Sequence, residues 1–143
     1  MSEEIRKVAS ALYNQAFEVY EAGDNPLKAV ELAGTSLNLW RQIGNHQNLS
    51  IGNWLYSRTL LQGGAVDLAL MAIENALEHL EEIEEPADWL VASALEGYAR
   101  ALNAAGVPEA VAAIDKAAEA ISAIADPEDR ALIASQFADL RQA

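Results

Sequence analysis

The chain is expected to be all-α, a stack of three long helix hairpins closed by a C-terminal capping helix. Three observations point there. Alanine supplies 29 of the 143 residues and aromatics only 6%, a helix-forming composition far from the β-branched and aromatic mix of a sheet. Pro26, Pro86, Pro108 and Pro127 each precede an Ala/Leu-rich run and none interrupts one; proline suits a first helical position, where its missing N–H is not needed. No stretch alternates apolar and polar residues long enough to read as a strand.

The elements follow from this punctuation. The first run, 3–22, stops at Gly23. The second, 26–43, starts at Pro26 behind the N-cap Asn25 and stops at Gly44. The third, 47–62, follows a polar loop in which Asn45 or Asn48 is the cap, and ends at Gly63-Gly64. The fourth, 65–84, runs into a block of acids. The fifth, 86–105, opens on Pro86-Ala87-Asp88 and ends at Gly106; the sixth, 108–125, opens on Pro108-Glu109. The seventh, 127–141, opens on Pro127-Glu128-Asp129 behind Asp126, a weak variant of the capping box. The acids beside these prolines suit the positive end of a helix dipole. Connections of a few residues make consecutive helices antiparallel neighbours.

The helices repeat. Gly23, Gly64 and Gly106 are 41 and 42 residues apart. Before each glycine come a small residue seven back (Ala16, Ser57, Ala99) and an apolar one four back (Val19, Leu60, Leu102). After it come Ala29, Ala69 and Ala110, then Ala33, Ile73 and Ile114, then Ser36, Ala76 and Ala117. Small residues at this spacing share one helical face and let a second helix approach closely.

This pattern resembles the tetratricopeptide repeat. The second copy, Ser57, Leu60, Gly64, Ala69, Ile73 and Ala76, matches best; the third is one residue short at the turn, and the first has one extra residue there. The resemblance spans essentially the whole chain and implies a right-handed α-α superhelix. Residues 1–143 form a single domain in this reading, with repeats near 1–44, 45–85 and 86–125 and a capping helix at 127–141. The period near 41 exceeds the usual 34 of the family and implies longer helices. A narrower likeness runs through Ser36-Leu37-Asn38-Leu39-Trp40-Arg41-Gln42-Ile43-Gly44, Asn48, Gly52-Asn53-Trp54 and Ser57-Arg58, and again through Ile124-Ala125-Asp126 and Glu128-Asp129-Arg130. It is similar to a group of bacterial proteins with such repeats, and implies a bacterial cytosolic protein without supplying a reaction.

The resemblance implies that the first helix of each pair lines a concave groove. Counted back from the turn glycines, the groove positions are Tyr13, Trp54 and Glu96; Phe17, Arg58 and Arg100; Tyr20, Leu61 and Asn103; and Glu21, Gln62 and Ala104. The expected peptide-binding set is Tyr13, Phe17, Tyr20, Trp54, Arg58, Gln62, Glu96, Arg100 and Asn103. Two readings of its arginines stand side by side. Arg58 and Arg100, helped by Asn103 and Gln62, grip an acidic or C-terminal carboxylate group of a partner, since guanidinium matches carboxylate bidentately. Alternatively they are structural: Glu96 lies four before Arg100, can reach Arg58 across the pair, and Trp54 stacks on Arg58.

Charge narrows the remaining classes. Nine Lys and Arg stand against 22 Asp and Glu, for a net charge of −13. That disfavours nucleic-acid backbones and anionic membranes as partners. The absence of cysteine removes disulfides, thiolate catalysis and iron–sulfur clusters. From Thr59 to Ala99 there are nine acids and no Lys or Arg, with Glu78, Glu81, Glu82, Glu84, Glu85 and Asp88 crowded together. This block reads as a solvated face; a dock for a basic partner and a divalent-cation site beside His79 are its other readings. The segment Asn45-His46-Gln47-Asn48 between Trp40 and Trp54 reads as a polar capped loop, with a small-molecule pocket as the alternative. His46 and His79 are 33 residues apart, and no nucleophile elbow, phosphate loop or metal triad is present.

The expectation is therefore a cytoplasmic, non-enzymatic module that binds a protein or peptide, with no cofactor, catalytic residue or metal. A structural homodimer and a small-molecule sensor are the alternatives.

Overall fold

Seven helices follow one another in the computed structural model, which describes residues 2–142 and their side chains from Ser2 to Leu140. They are α1 (Ser2–Ala22), α2 (Pro26–Ile43), α3 (His46–Gln62), α4 (Val66–Glu81), α5 (Asp88–Ala105), α6 (Ala110–Ser122) and α7 (Pro127–Gln142). No strand occurs among the described residues. Each of α1, α3 and α5 packs most extensively on the helix that follows it, which makes three antiparallel hairpins; α3 also touches α1 and α5, and α7 packs on α5 and α6.

The repeat positions are the contact positions. Ala16, Ser57 and Ala99 are fully buried, as are Ala29, Ala69, Ala76 and Ala117. The three aligned glycines, Gly23, Gly64 and Gly106, all have positive φ, at 74°, 85° and 71°. A side chain there would strain the backbone, so the repeat spells glycine where the chain must turn left-handed to reverse. Gly44 and Gly63 have ordinary negative φ.

Buried serines tie the hairpins where backbones come close. Ser57 Oγ donates to the Ala69 carbonyl at 2.8 Å, Ser50 Oγ to Ala76 at 3.0 Å, and Ser36 Oγ to Ala9 at 2.7 Å. Between hairpins the contact rests on Gly97 of α5. A Cβ there would lie 2.5 Å from Ile73 Cδ1 and 3.1 Å from Trp54 Cδ1, so α3, α4 and α5 meet where one residue has no side chain. Helix α7 closes the stack by burying Ile133, Phe137 and Leu140 against Ala92, Ala99, Ala117, Ile121 and Ile124.

The caps agree with the punctuation in part. Asn25 accepts from the Lys28 N–H, Asn45 and Asn48 form a reciprocal capping box, and Asp126 accepts from the Asp129 N–H. Three expected boundaries are too generous. Helix α5 begins at Asp88, not 86, because Ala87 is extended (φ −60°, ψ 144°) and Asp88 turns to accept the Ala125 N–H at 2.9 Å. Helix α6 spans Ala110–Ser122 instead of 108–125, because a tight turn carries Pro108 and Glu109. Helix α4 stops at Glu81, not 84, where the acids at 81, 82, 84 and 85 oppose the negative end of its dipole.

Candidate functional site

The first helices of the hairpins bring most of the expected groove residues together. Tyr13, Phe17, Tyr20, Trp54, Arg58, Gln62, Arg100 and Asn103 line three adjoining hollows that share walls, forming one continuous groove across α1, α3 and α5. Glu96 lies beneath its floor instead of on it, 1% exposed.

One end of the groove is aromatic. Phe17 stacks on Trp54 with centroids 6.2 Å apart and an interplanar angle of 24°, and meets Tyr20 edge-on at 6.3 Å. Tyr13 and Trp89 complete a cavity of about 230 Å3, with Ile51, Leu132 and Ile133 on its walls and Ser50, Ser93 and Gln136 as polar groups. Burial pushes the Tyr13 phenol above its ordinary pKa. The Trp54 indole N–H is buried without a protein acceptor.

The other end is charged, and its arginines are already engaged. Arg58 Nη1 donates to Glu96 at 2.7 Å and its Nε to the Tyr20 hydroxyl at 3.0 Å. The same guanidinium lies 5.5 Å from both the Tyr20 and Trp54 ring centres, a cation held between two aromatic faces. Arg100 Nε donates to the second Glu96 oxygen at 2.7 Å. Its terminal nitrogens make a two-pronged pair with Asp139 at 2.8 and 2.9 Å, and one also reaches the Gln136 carbonyl at 2.8 Å. Glu96 thus has one arginine on each oxygen, which satisfies a carboxylate that water cannot reach. Burial works against the Arg100 charge, but the bonds to Asp139 and Glu96 outweigh it and hold the guanidinium above its ordinary pKa. The Arg100 hydrogen bond pulls the Asp139 carboxyl down to about 2. Gln62 Nε2 donates to the Tyr20 carbonyl at 2.8 Å, and its buried Oε1 has no protein donor.

The contacts of the structural reading, Glu96 between Arg58 and Arg100 with Trp54 on Arg58, are all made, and Tyr20, Gln136 and Asp139 add to them. The repeat register did not reveal the fourth side of the groove. Helix α7 supplies Asp129, Leu132, Gln136 and Asp139 to it. That helix lies outside the repeat, so nothing in the spacing marked these residues.

The other singled-out features separate. Trp40 and Trp54 are both buried at 8% exposure, and Arg6 covers the Trp40 ring at 5.4 Å. Trp40 and Asn48 line a shallow hollow with Tyr13, whereas Trp54 belongs to the groove. The histidines, which look remote in sequence, touch: their Nδ1 atoms are 3.0 Å apart. Burial and the His46 charge push the His79 imidazole below its ordinary pKa, and Arg41 adds to them; Glu78 and Glu82 oppose. The acids of the block, Glu78, Glu81, Glu82, Glu84, Glu85 and Asp88, are all exposed, and Asp88 also accepts the Ala125 N–H in the α6–α7 connection. No helix of the described residues is long and apolar enough to cross a membrane.

No known family profile and no curated protein matches the chain. Among solved structures, the crystal structure of a TPR-like protein from Chlorobium tepidum TLS superposes with a TM-score of 0.75 at 17% identity, covering 97% of this chain and 98% of that one. At that identity the likeness establishes the TPR-like fold.

Proposed function

From the TPR-like fold and the groove it builds, we propose that the chain is a non-catalytic module that binds a protein or peptide segment along α1, α3 and α5. One observation carries the reading: side chains from three separate hairpins line a single continuous trough, aromatic at one end and charged at the other. An extended or helical segment presents apolar and polar groups over a comparable span. The aromatic end accepts an apolar side chain, and the charged end offers hydrogen bonds from the exposed Asn103.

The finer form of the reading is a partner carboxylate held by Arg58 and Arg100. The difference in exposure between the two acids supports one way in. Glu96 is enclosed between both arginines, whereas the Asp139 side chain is 71% exposed. An incoming carboxylate therefore takes the place of Asp139 on Arg100.

The test is affinity capture with the full chain from the native cell lysate, repeated with Phe17→Ser, Asn103→Arg and, as an outer-face control, Leu68→Ser. Partners lost with the two groove variants and kept with the control support the reading. Capture that is indifferent to both groove variants ends it. Asp139→Asn adds the finer question: it strengthens capture of acidic segments if a carboxylate replaces Asp139, and leaves it unchanged if none does.

A second reading, self-association, is favoured by Leu27, Leu68, Met71 and Val111, large apolar side chains left 55–69% exposed on the second helices of the hairpins. Light scattering across a concentration series decides it; a constant monomer mass rules it out.

A further inference from the structure

His46 and His79 stand apart from the groove, and the proposed binding role makes no use of them. His46 is the first residue of α3 and His79 lies in the last turn of α4. They therefore face each other at the open end of the second hairpin, opposite the Gly63-Gly64 turn. Their rings are 5.3 Å apart between centroids and tilted by 36°, with the two Nδ1 atoms at 3.0 Å.

Two imidazole nitrogens cannot face each other at that distance with both lone pairs bare. Either the Nδ1–H of one ring donates to the bare nitrogen of the other, or a cation takes the place of that hydrogen and draws on both lone pairs. The spacing suits a cation of a particular kind. Two nitrogens bound at about 2.0–2.1 Å lie roughly 3.3 Å apart on a tetrahedral ion and roughly 2.8 Å apart at adjacent corners of a square plane. The observed 3.0 Å falls between these values. Both rings reach solvent, His46 being exposed and His79 partly so, so turning each by a few tens of degrees to aim at a common point meets little resistance. Glu78 and Glu82 place negative charge beside His79, opposed by Arg41. Helix α4 also presents its negative end there. No group of three ligating side chains occurs among the described residues, so water would fill the remaining positions around a bound ion.

We propose that His46 and His79 chelate one divalent transition-metal ion of the zinc, nickel or copper class through their Nδ1 atoms, stapling the open end of the second hairpin. Imidazole favours these ions over calcium and magnesium, which take oxygen ligands. The ion would join the ends of α3 and α4 and stabilise the folded chain by mass action.

The test titrates zinc and nickel chloride into the full chain by isothermal titration calorimetry, alongside calcium and magnesium chloride. One zinc or nickel ion per chain is expected, with affinity falling roughly tenfold or more in His46→Ala and in His79→Ala. Calcium and magnesium should give no comparable heat. At a hundredfold excess over the wild-type dissociation constant, zinc should raise the melting midpoint by roughly 5–10 °C in the wild type and by about half of that or less in the variants. Copper(II) bound to the unmodified chain gives a readout independent of the variants: its electron paramagnetic resonance spectrum should show two coordinated imidazole nitrogens. Three results overturn the site: no binding, binding unchanged in either variant (the ion then belongs to the carboxylates of 78–85), or a copper spectrum with fewer than two nitrogens.

Discussion

Glu96 of the third hairpin receives the Arg58 guanidinium of the second at 2.7 Å, with the Glu96 side chain 1% and the Arg58 side chain 9% exposed. The pair joins neighbouring repeats beneath the groove, at positions where α1 carries aromatic side chains instead. Its energetics follow from burial. Taking both charges from water costs several kcal/mol, which their attraction offsets only while every hydrogen bond is made.

Removing one partner is therefore costly. Glu96→Ala leaves Arg58 and Arg100 facing each other without the carboxylate between them, and should lower unfolding free energy by about 3 kcal/mol or more. Glu96→Gln keeps the shape and should cost less. Replacing the pair together, Arg58→Met with Glu96→Leu, should cost less than Glu96→Ala alone. Urea denaturation of the variants measures this, and a loss under about 1 kcal/mol for Glu96→Ala would contradict the account.

The close approach at Gly97 makes a prediction opposite to helix propensity. Alanine in place of a mid-helix glycine ordinarily stabilises by roughly 1 kcal/mol. Here the new methyl meets Ile73 Cδ1 at 2.5 Å, inside a core where Ile73 is fully buried. Gly97→Ala should therefore be net destabilising, by about 1–2 kcal/mol. Ile73→Val removes the clashing atom, so the double variant should recover much of the loss. Additive losses across that cycle would show that the methyl does not act through Ile73.

The Arg100–Asp139 pair links α7 to pH. Asp139 titrates near 2 when folded, because of the Arg100 hydrogen bond, against an ordinary value of 3.8. A depressed folded pKa contributes stability that is complete above the unfolded value and lost as pH falls from about 4 towards 2. The side chain is 71% exposed, so water screens the pair and its contribution is below about 1 kcal/mol. Wild type and Asp139→Asn should differ in stability at neutral pH and converge towards pH 2. Hydrogen exchange of α7 amides should show the same convergence. A constant difference across that window would remove Asp139 as its source.

Ser57 tests the meaning of the small repeat position. Alanine occupies the equivalent sites, Ala16 and Ala99, so Ser57→Ala should lose only the hydroxyl bond to Ala69, about 1 kcal/mol. Ser57→Leu should push α3 from α4 and cost considerably more, about 3 kcal/mol. Thermal or urea unfolding separates the two, and similar losses would mean that close packing is not the reason for a small residue here.

Local patterns made the helical scaffold legible. Gly23, Gly64 and Gly106 could be aligned as turns because each ends a helix by the same left-handed backbone, which glycine adopts without strain. Asn25, Asn45 and Asp126 could be read as caps because a cap reaches only the next two or three residues. Pro86 misled for the opposite reason. Asp88, where α5 begins after the extended Ala87, bonds to Ala125, and nothing near Pro86 signals a partner so far along the chain.

The site divides in the same way. Register made Tyr13, Phe17, Tyr20, Trp54, Arg58, Gln62, Arg100 and Asn103 equivalent in stacked hairpins, and the tetratricopeptide resemblance implied that this face is the groove. It misplaced Glu96 by one layer of depth, since periodicity specifies a face and not how far a side chain sinks below it. It could not bring Asp139 to Arg100, or His46 to His79, because those contacts depend on how whole helices rotate and dock across 39 and 33 residues of chain.

Composition, punctuation and a period near 41 were enough to dictate helices and hairpins, since each arises from neighbours within a turn or from a repeated face, and the resemblance to the tetratricopeptide repeat implied the groove. Which charges are satisfied, which side α7 closes and which imidazoles meet were settled by packing. There the alanine faces and Gly97 set the spacing between helices, and that spacing fixes the distances on which ion pairs and ligation depend.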